Sequence, residues 1–281
     1  MARPTSVLCP SCGSLVGVKD AQCLSCGRLR PGMWGFTSLL RNVGDDMGFV
    51  GLVTWVCGAL YLASLASDPE GIRSSGLLSF FSPSRRSLFV FGASGAEPVF
   101  FYGRWWSVLS AGWLHAGVLH ILFNMLWVRD LAPATARLYG PGRTVILYVV
   151  AGACGFAAST LAFMVPFLPP FLRGAGFTVG ASAPIFGLIG ALLYYGRRGG
   201  SSSIGQQAKS LAITMLLFGF VMPGIDNWAH LGGLAGGYLM GRILDPLQPE
   251  KGNHLLAAIV LLLLSLMAII ASVVTGLPMV R

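Results

Sequence analysis

The sequence predicts an all-α protein that crosses a membrane several times, and three observations lead to that class. Of the 281 residues, 54% are hydrophobic and only 10% are charged, whereas a water-soluble surface needs many more charges. The mean hydropathy is +0.72. Glycine is abundant, at 38 residues, and membrane helices tolerate glycine and use it for close packing. The composition therefore argues against an ordinary soluble domain.

Seven hydrophobic runs are each near the length that a bilayer requires. They cover about residues 47–67, 106–128, 144–166, 178–196, 208–222, 226–246 and 254–275. The predicted architecture is a polytopic membrane helix bundle of seven spans.

Lysine and arginine divide unequally between the two sets of connecting segments. The set that includes the N-terminal segment holds 13 of them, and the alternate set holds 6. By the positive-inside rule, the N-terminus then faces the cytoplasm and the end of the seventh span lies outside. The Lys and Arg residues are distributed over short loops, and this distribution accounts for the net charge of +9. Because they do not form a patch, we expect no nucleic-acid partner.

Four cysteines near the N-terminus form two Cys-x-x-Cys pairs, each followed by glycine. The pairs are Cys9 with Cys12 and Cys23 with Cys26. This spacing is typical of tetrahedral thiolate coordination of zinc. Two disulfides are the alternative, but they need an oxidising compartment, and the predicted cytoplasmic side favours metal. We therefore predict a zinc-ribbon-like knuckle with a structural zinc ion.

Two of the predicted spans carry a hydroxyl and an imidazole at matching depth. Ser182 lies about four residues into the span 178–196, and His230 lies about four residues into the span 226–246. A serine becomes a good nucleophile when a base accepts its proton, and imidazole suits that task near neutral pH. These residues alone leave a packing role open, because membrane helices also use Ser and His for interhelical hydrogen bonds.

Small residues surround both side chains. Gly180 precedes Ser182, and a ladder of glycines follows His230 at positions 232, 233, 236, 237 and 241. A bare glycine face lets two helices approach closely, which would bring Ser182 and His230 within hydrogen-bonding reach. Phe186 lies one turn below Ser182 on the same face, where it can pack on the imidazole.

A third predicted span supplies hydrogen-bond donors. His120 and Asn124 are four residues apart, so both point to one side of a helix. Acyl transfer passes through a tetrahedral oxyanion that needs donors aimed at it, and these side chains with the Ser182 backbone N–H would serve. A simpler role in bonding neighbouring helices stays open from the spacing alone.

Taken in order, these motifs resemble the rhomboid family of intramembrane serine proteases over about residues 47–246. The resemblance rests on the segments Trp113-Leu-His115, His120-Ile-Leu-Phe-Asn124, Gly180-Ala-Ser182 with Phe186, and Asp226-Asn-Trp-Ala-His230-Leu-Gly-Gly233. It implies a six-helix core with a membrane-embedded Ser–His dyad that has no acidic third member. It also implies cleavage of transmembrane protein substrates near the outer face, in contact with lipid and without a catalytic cofactor.

The resemblance assigns a role to each matching residue. It implies Ser182 as nucleophile, His230 as general base, His120 and Asn124 as oxyanion-stabilising residues, His115 in support, and Gly180 as the glycine before the nucleophile. Catalytically inactive rhomboid-like proteins that bind transmembrane clients are the alternative. A small transporter is a more distant one, because it predicts inverted repeats, and none is evident.

The sequence divides into three predicted parts. We predict a cytoplasmic zinc-ribbon-like segment over 1–32 with an unidentified partner, a rhomboid protease domain over 47–246, and an added C-terminal transmembrane helix over 254–275. The resemblance places such a protein in a bacterial cytoplasmic membrane.

Three local features depart from the family pattern or from the hydrophobic runs. Ala183 follows the nucleophile where the family has glycine, and Ser107 follows Trp106 where the family has arginine. The run 106–128 would also bury His120 about 20 Å deep, far below Ser182. The resemblance instead starts that helix near residue 117.

Overall fold

A computed structural model describes residues 6–9, 12–31, 45–74, 80–167, 169 and 172–280. Parts of the predicted 1–32 segment, namely residues 1–5, 10, 11 and 32, lie outside the described residues. Apart from one short two-stranded hairpin and isolated bridges, the regular structure of the described residues is helical. The predicted all-α membrane bundle is thereby confirmed.

Within the described ranges, the elements follow one another as two short strands and then nine α-helices. They are β1 Ser6–Leu8, β2 Leu15–Gly17, α1 Phe49–Ser67, α2 Arg85–Phe91, α3 Ser107–Ser110, α4 Val118–Tyr139, α5 Pro141–Phe163, α6 Ser182–Arg197, α7 Ser202–Val221, α8 Asn227–Ile243 and α9 Gly252–Val280. Single turns also occur at Pro69–Gly71, Glu97–Phe101 and Ala111–Trp113.

Seven of these helices, α1 and α4–α9, correspond to the seven predicted spans. Helices α1, α5, α7 and α9 are long and apolar enough to cross a membrane, and α3 with the turn after it forms one further candidate with α4, bent by 93°. Helices α6 and α8 have only 16 and 17 residues. The chain is a multi-pass integral membrane protein.

Two of the helix starts that differ from the predicted runs lie at the residues singled out by the sequence. The run 106–128 breaks at the 93° bend, and the helix begins at Val118, close to the start that the family resemblance favours. The run 178–196 becomes helical only at Ser182, because Gly180 has a φ of +134°, which no helix continues. Pro184 fits the first turn, where its missing N–H is not needed.

Helix α8 lies between α5 and α6, and its glycines make the close approach possible. A side chain at Gly233 would meet the backbone of Ala183, and one at Gly237 would meet the backbone of Gly187, both on α6. A side chain at Gly236 would meet Cys154 on α5. The glycine ladder therefore brings the helix of His230 against the helix of Ser182.

Two arginines, one near each end of helix α9, hydrogen-bond it to the rest of the bundle. Near its start, the buried Arg143 donates to His254 Nδ1 at 3.0 Å and to the carbonyl of Gln248 at 2.7 Å. Near its other end, the fully buried Arg104 donates to the carbonyls of Ser272 at 2.6 Å and of Phe89 at 2.5 Å. The second arginine also ties the loop between α1 and α3 to α9.

Candidate active site

Ser182 and His230 meet at the ends of two neighbouring helices. Ser182 is the first residue of α6, and His230 is the fourth residue of α8. Ser182 Oγ lies 2.9 Å from His230 Nε2, which is hydrogen-bonding distance. The imidazole can therefore accept the hydroxyl proton directly.

The His230 ring is held by stacking and not by an acidic residue. The Phe186 ring lies parallel to it, with the centroids 4.3 Å apart and an interplanar angle of 17°. Its Nδ1 atom is buried and has no hydrogen-bond partner among the described residues. Among the described residues, the geometry is that of a serine–histidine pair with no acidic side chain on the second ring nitrogen.

His120 directs a ring N–H toward the serine. The Ala116 backbone N–H donates to His120 Nδ1 at 3.2 Å, so a neutral ring carries its proton on Nε2. A Cβ atom built on Gly180 would lie 2.7 Å from His120 Nε2 and 3.7 Å from Ser182 Oγ, so both atoms border the Gly180 backbone. A donor and a nucleophile thus share one small space, and only glycine leaves that space open.

The start of α6 adds backbone donors at the same place. The first intrahelical hydrogen bond in this turn runs from the Ile185 N–H to the Ala181 carbonyl at 2.9 Å. The N–H groups of Ser182 and Ala183 precede it, so they have no acceptor within the helix. Together with the helix dipole they favour negative charge beside Ser182 Oγ.

His115 and Asn124 both contact His120. The His115 ring is fully buried and lies edge-on to the His120 ring, with the centroids 5.2 Å apart. Asn124 Nδ2 donates to the His120 carbonyl at 2.7 Å. The described contacts bring both residues to His120, and none of them joins either residue to the Ser182 hydroxyl, which bonds His230.

The methyl group of Ala183 points away from the nucleophile. Ala183 is buried in a small cluster with Ala111, Phe156 and Ala229. Its Cβ atom lies 2.9 Å from where a Cβ on Gly155 would be, on the side of α5. The departure from the family's glycine is therefore absorbed in helix packing and leaves the space beside Ser182 Oγ open.

Sequence reasoning missed one group in this region, the carboxylate of Asp226. It caps α8 by accepting a hydrogen bond from the Ala229 N–H at 3.0 Å. It also accepts a hydrogen bond from the Ser159 hydroxyl of α5 at 2.7 Å. An Asp three residues before an apolar helical run is an N-cap signal, and that signal is visible in the sequence.

The four N-terminal cysteines form a separate cluster. Their Sγ atoms all lie within 4.8 Å of one another, with Cys9 and Cys26 at 3.7 Å and Cys12 and Cys23 at 3.6 Å. A disulfide needs about 2.05 Å between sulfurs, whereas four thiolates around zinc at about 2.3 Å each stand roughly 3.8 Å apart. The cluster therefore has the dimensions of a tetrahedral metal site.

Comparison with known proteins adds independent findings. The rhomboid domain family model matches residues 102–246. Rhomboid protease GluP of Bacillus subtilis (strain 168) is 35% identical over 188 residues, which are 66% of this chain and 35% of that protein. RHOMBOID-like protein 7 of Arabidopsis thaliana is 35% identical over 182 residues, which are 62% of this chain and 53% of that protein.

A shorter relative has a similar level of identity. The putative rhomboid protease YdcA of Bacillus subtilis (strain 168) is 33% identical over 142 residues, which are 49% of this chain and 66% of that protein. The chain spans 35% and 53% of the length of the first two relatives. The family match covers more than half of the chain and includes every residue of the site from His115 to His230, and the chain accordingly belongs to the rhomboid family.

Proposed function

We propose that this protein is an intramembrane serine endopeptidase that cleaves transmembrane segments of other membrane proteins. The observation that carries the proposal is the 2.9 Å contact between Ser182 Oγ and His230 Nε2. The names of its relatives GluP and YdcA, both called rhomboid proteases, support it. The apolar helices around the site favour a substrate that is itself a membrane segment.

The reaction follows from the positions of these groups. As Ser182 Oγ bonds to the scissile carbonyl carbon, His230 Nε2 takes the hydroxyl proton, and the carbonyl oxygen becomes an oxyanion. His120 Nε2–H and the first backbone N–H groups of α6 stabilise that charge. The carbon–nitrogen bond then breaks, and His230 gives its proton to the departing amine.

Water completes the cycle through the same two residues. His230 Nε2 takes a proton from water while the water oxygen bonds to the acyl carbon. The ester bond to Ser182 Oγ then breaks, and His230 returns the proton to that oxygen. No metal or organic cofactor is needed for either half of this sequence.

Cleavage by purified protein tests the proposal. The protein in detergent is incubated with a model transmembrane substrate beside a Ser182→Ala variant and a Ser203→Ala variant, in which an exposed serine at the start of α7 is changed. We expect product from the wild type and from Ser203→Ala only. Equal product from Ser182→Ala would remove Ser182 from the nucleophile's role.

A protein that binds transmembrane clients without cutting them is the second candidate, and Ala183 is the feature that suggests it. The packing of that methyl group against α5 supports the catalytic candidate instead. In the cleavage experiment, substrate bound by the wild type without any product would favour the binding function.

For the N-terminal segment we propose a structural zinc ion held by Cys9, Cys12, Cys23 and Cys26. The two knuckles are alike, since Gly13 N–H donates to the Cys9 carbonyl and Gly27 N–H donates to the Cys23 carbonyl, both at 2.9 Å. Bound zinc would fix both turns in a segment that has almost no apolar core of its own.

Metal analysis tests this site. Protein purified without chelator should contain about one zinc ion per chain, because the cluster offers four thiolates, the complete ligand set of a structural site. Cys23→Ser should lose it, and Cys154→Ser, a cysteine outside the cluster, should keep it. A wild-type preparation without metal would contradict the zinc assignment.

We also propose the orientation and the division of the chain given by the loop charges. The knuckle segment 1–32 and the inner end of α9 face the cytoplasm, the 47–246 domain carries the site, and the 254–275 span ends outside. A cysteine-reactive reagent confined to the outer face should label a cysteine introduced at Met279. Protection of that position in intact cells would contradict the orientation.

A further inference from the structure

We propose that Asp226 is a positioning residue that holds the helix of His230 and the segment before Ser182 in one frame. The inference rests on the proposed function, since it concerns the alignment of that pair. Asp226 opens the segment that carries the family resemblance, but neither the roles implied by that resemblance nor the Ser–His chemistry assigns this carboxylate a task.

One oxygen of the carboxylate fixes the start of α8. Asp226 Oδ1 accepts a hydrogen bond from the Ala229 N–H at 3.0 Å, and the His230 N–H donates to the Asp226 carbonyl at 3.1 Å. His230 is thus one turn from the carboxylate on a capped first turn, where an uncapped helix would fray.

The other oxygen reaches the segment that leads to the nucleophile. Asp226 Oδ2 accepts from the fully buried Ser159 hydroxyl at 2.7 Å, and Ser159 Oγ accepts from the Ala175 N–H at 2.8 Å. Ala175 belongs to the segment 172–181 that precedes Ser182.

That segment has fixed partners on its other side as well. Thr178 pairs with Ser94 through two backbone hydrogen bonds of 2.8 and 3.0 Å, and the Gly180 N–H donates to the Ala111 carbonyl at 3.0 Å. The Trp228 indole, on the first turn of α8, donates to the Leu172 carbonyl at 2.7 Å. The carboxylate therefore lies where α5, α8 and the Ser182 segment meet.

The alignment of Ser182 and His230 depends on how α8 is positioned. His230 Nδ1 has no hydrogen-bond partner among the described residues, so no side chain on that nitrogen sets the ring's direction. Stacking on Phe186 fixes the plane of the ring, but the distance to Ser182 depends on how α8 lies against the segment 172–181. A misplacement of about 1 Å can cost on the order of 100-fold in rate.

Two substitutions break the bridge without removing the cap. Asp226→Asn keeps a capping oxygen but replaces Oδ2 with an amide NH2 that cannot accept the Ser159 hydroxyl, and Ser159→Ala removes the hydroxyl between the two elements. Thr160→Val is the matched control, because the Thr160 hydroxyl is buried on the same helix without a partner among the described residues. The kcat and KM for a model transmembrane substrate are measured at a temperature where thermal unfolding shows every variant to be folded.

We expect Ser159→Ala and Asp226→Asn each to lower kcat roughly 10- to 100-fold with KM within about twofold of wild type, and Thr160→Val to match wild type. The double variant should lose little more than the worse single one, because both changes break one bridge. Wild-type kcat in both single variants, a rise in KM alone, or additive losses would overturn the positioning role. An inactive wild type would instead refute the proposed function, since the comparison among variants begins from its activity.

Discussion

At the scale of single residues, His120 shows how a neighbour decides what a side chain can donate. Its Nδ1 atom accepts from the Ala116 backbone, which leaves the proton on Nε2 and aims it at the space beside Gly180. The spacing of His120 and Asn124 on one helix face is visible in the sequence. The tautomer is not, because Ala116 belongs to the segment before the 93° bend.

We expect His120→Ala to lower kcat about 100- to 1,000-fold with a much smaller change in KM, since it removes one donor that acts mainly on the oxyanion. Leu122→Ala is the control, because that side chain lies on the outward face of the same helix and is 48% exposed. Steady-state cleavage of a model transmembrane substrate measures both constants. A loss confined to KM would assign His120 to substrate binding.

The helix that carries Ser182 begins at that residue, four residues later than the hydrophobic run predicts. Hydrophobicity alone extends the span back to 178, because Thr178, Val179 and Ala181 are as apolar as many helical residues. The backbone at Gly180 decides otherwise, since its positive φ ends any helix there. A conformation that one glycine adopts cannot be read from average hydropathy.

At the scale of elements, α8 has two glycine faces with different partners. Gly232 and Gly236 face α5, whereas Gly233 and Gly237 face α6. The sequence predicts the close approach from the small-residue spacing. It does not predict that one helix uses adjacent faces for two neighbours, because that depends on where α5 lies.

We expect Gly237→Val to destabilise the bundle by about 1–3 kcal/mol, because the added side chain meets the backbone of Gly187 and overpacks the contact. Gly58→Val is the matched control, since a Cβ atom there has no neighbour within 4 Å. Thermal unfolding in one detergent compares the two. Equal unfolding midpoints for the two variants would show that moving α6 and α8 apart does not destabilise the bundle.

At the scale of the whole molecule, α9 is joined to the core by polar groups at both ends. Arg143 is 2% exposed and donates to loop carbonyls between α8 and α9. At the opposite end, Arg104 donates to the carbonyls of Ser272 on α9 and Phe89 on α2. The sequence predicts an added span, but the contacts of the two arginines with α9 and the loop before it join residues more than 100 positions apart and have no local signal.

We expect Arg143→Met to lower the free energy of unfolding by about 3 kcal/mol or more, because it removes one member of a buried charged network and leaves the carbonyls of Gln248 and Pro249 unpaired. Arg198→Met should cost less than about 1 kcal/mol, since its pair with Asp245 is 3.4 Å long and solvent-exposed. Unfolding in detergent gives both values. Equal losses of unfolding free energy in the two variants would mean that Arg143 does not stabilise the packing of α9.

The lengths of α6 and α8 have a consequence for hydration. A helix of 16 residues is about 24 Å long, whereas the hydrocarbon layer is about 30 Å thick. Arg197 and Arg198 hold the far end of α6 near the polar boundary. A helix of this length that stands upright and is anchored there would leave Ser182 about 6 Å beneath the opposite boundary, below the segment 172–181. In the proposed reaction, that missing turn opens a path for the water that releases the acyl group.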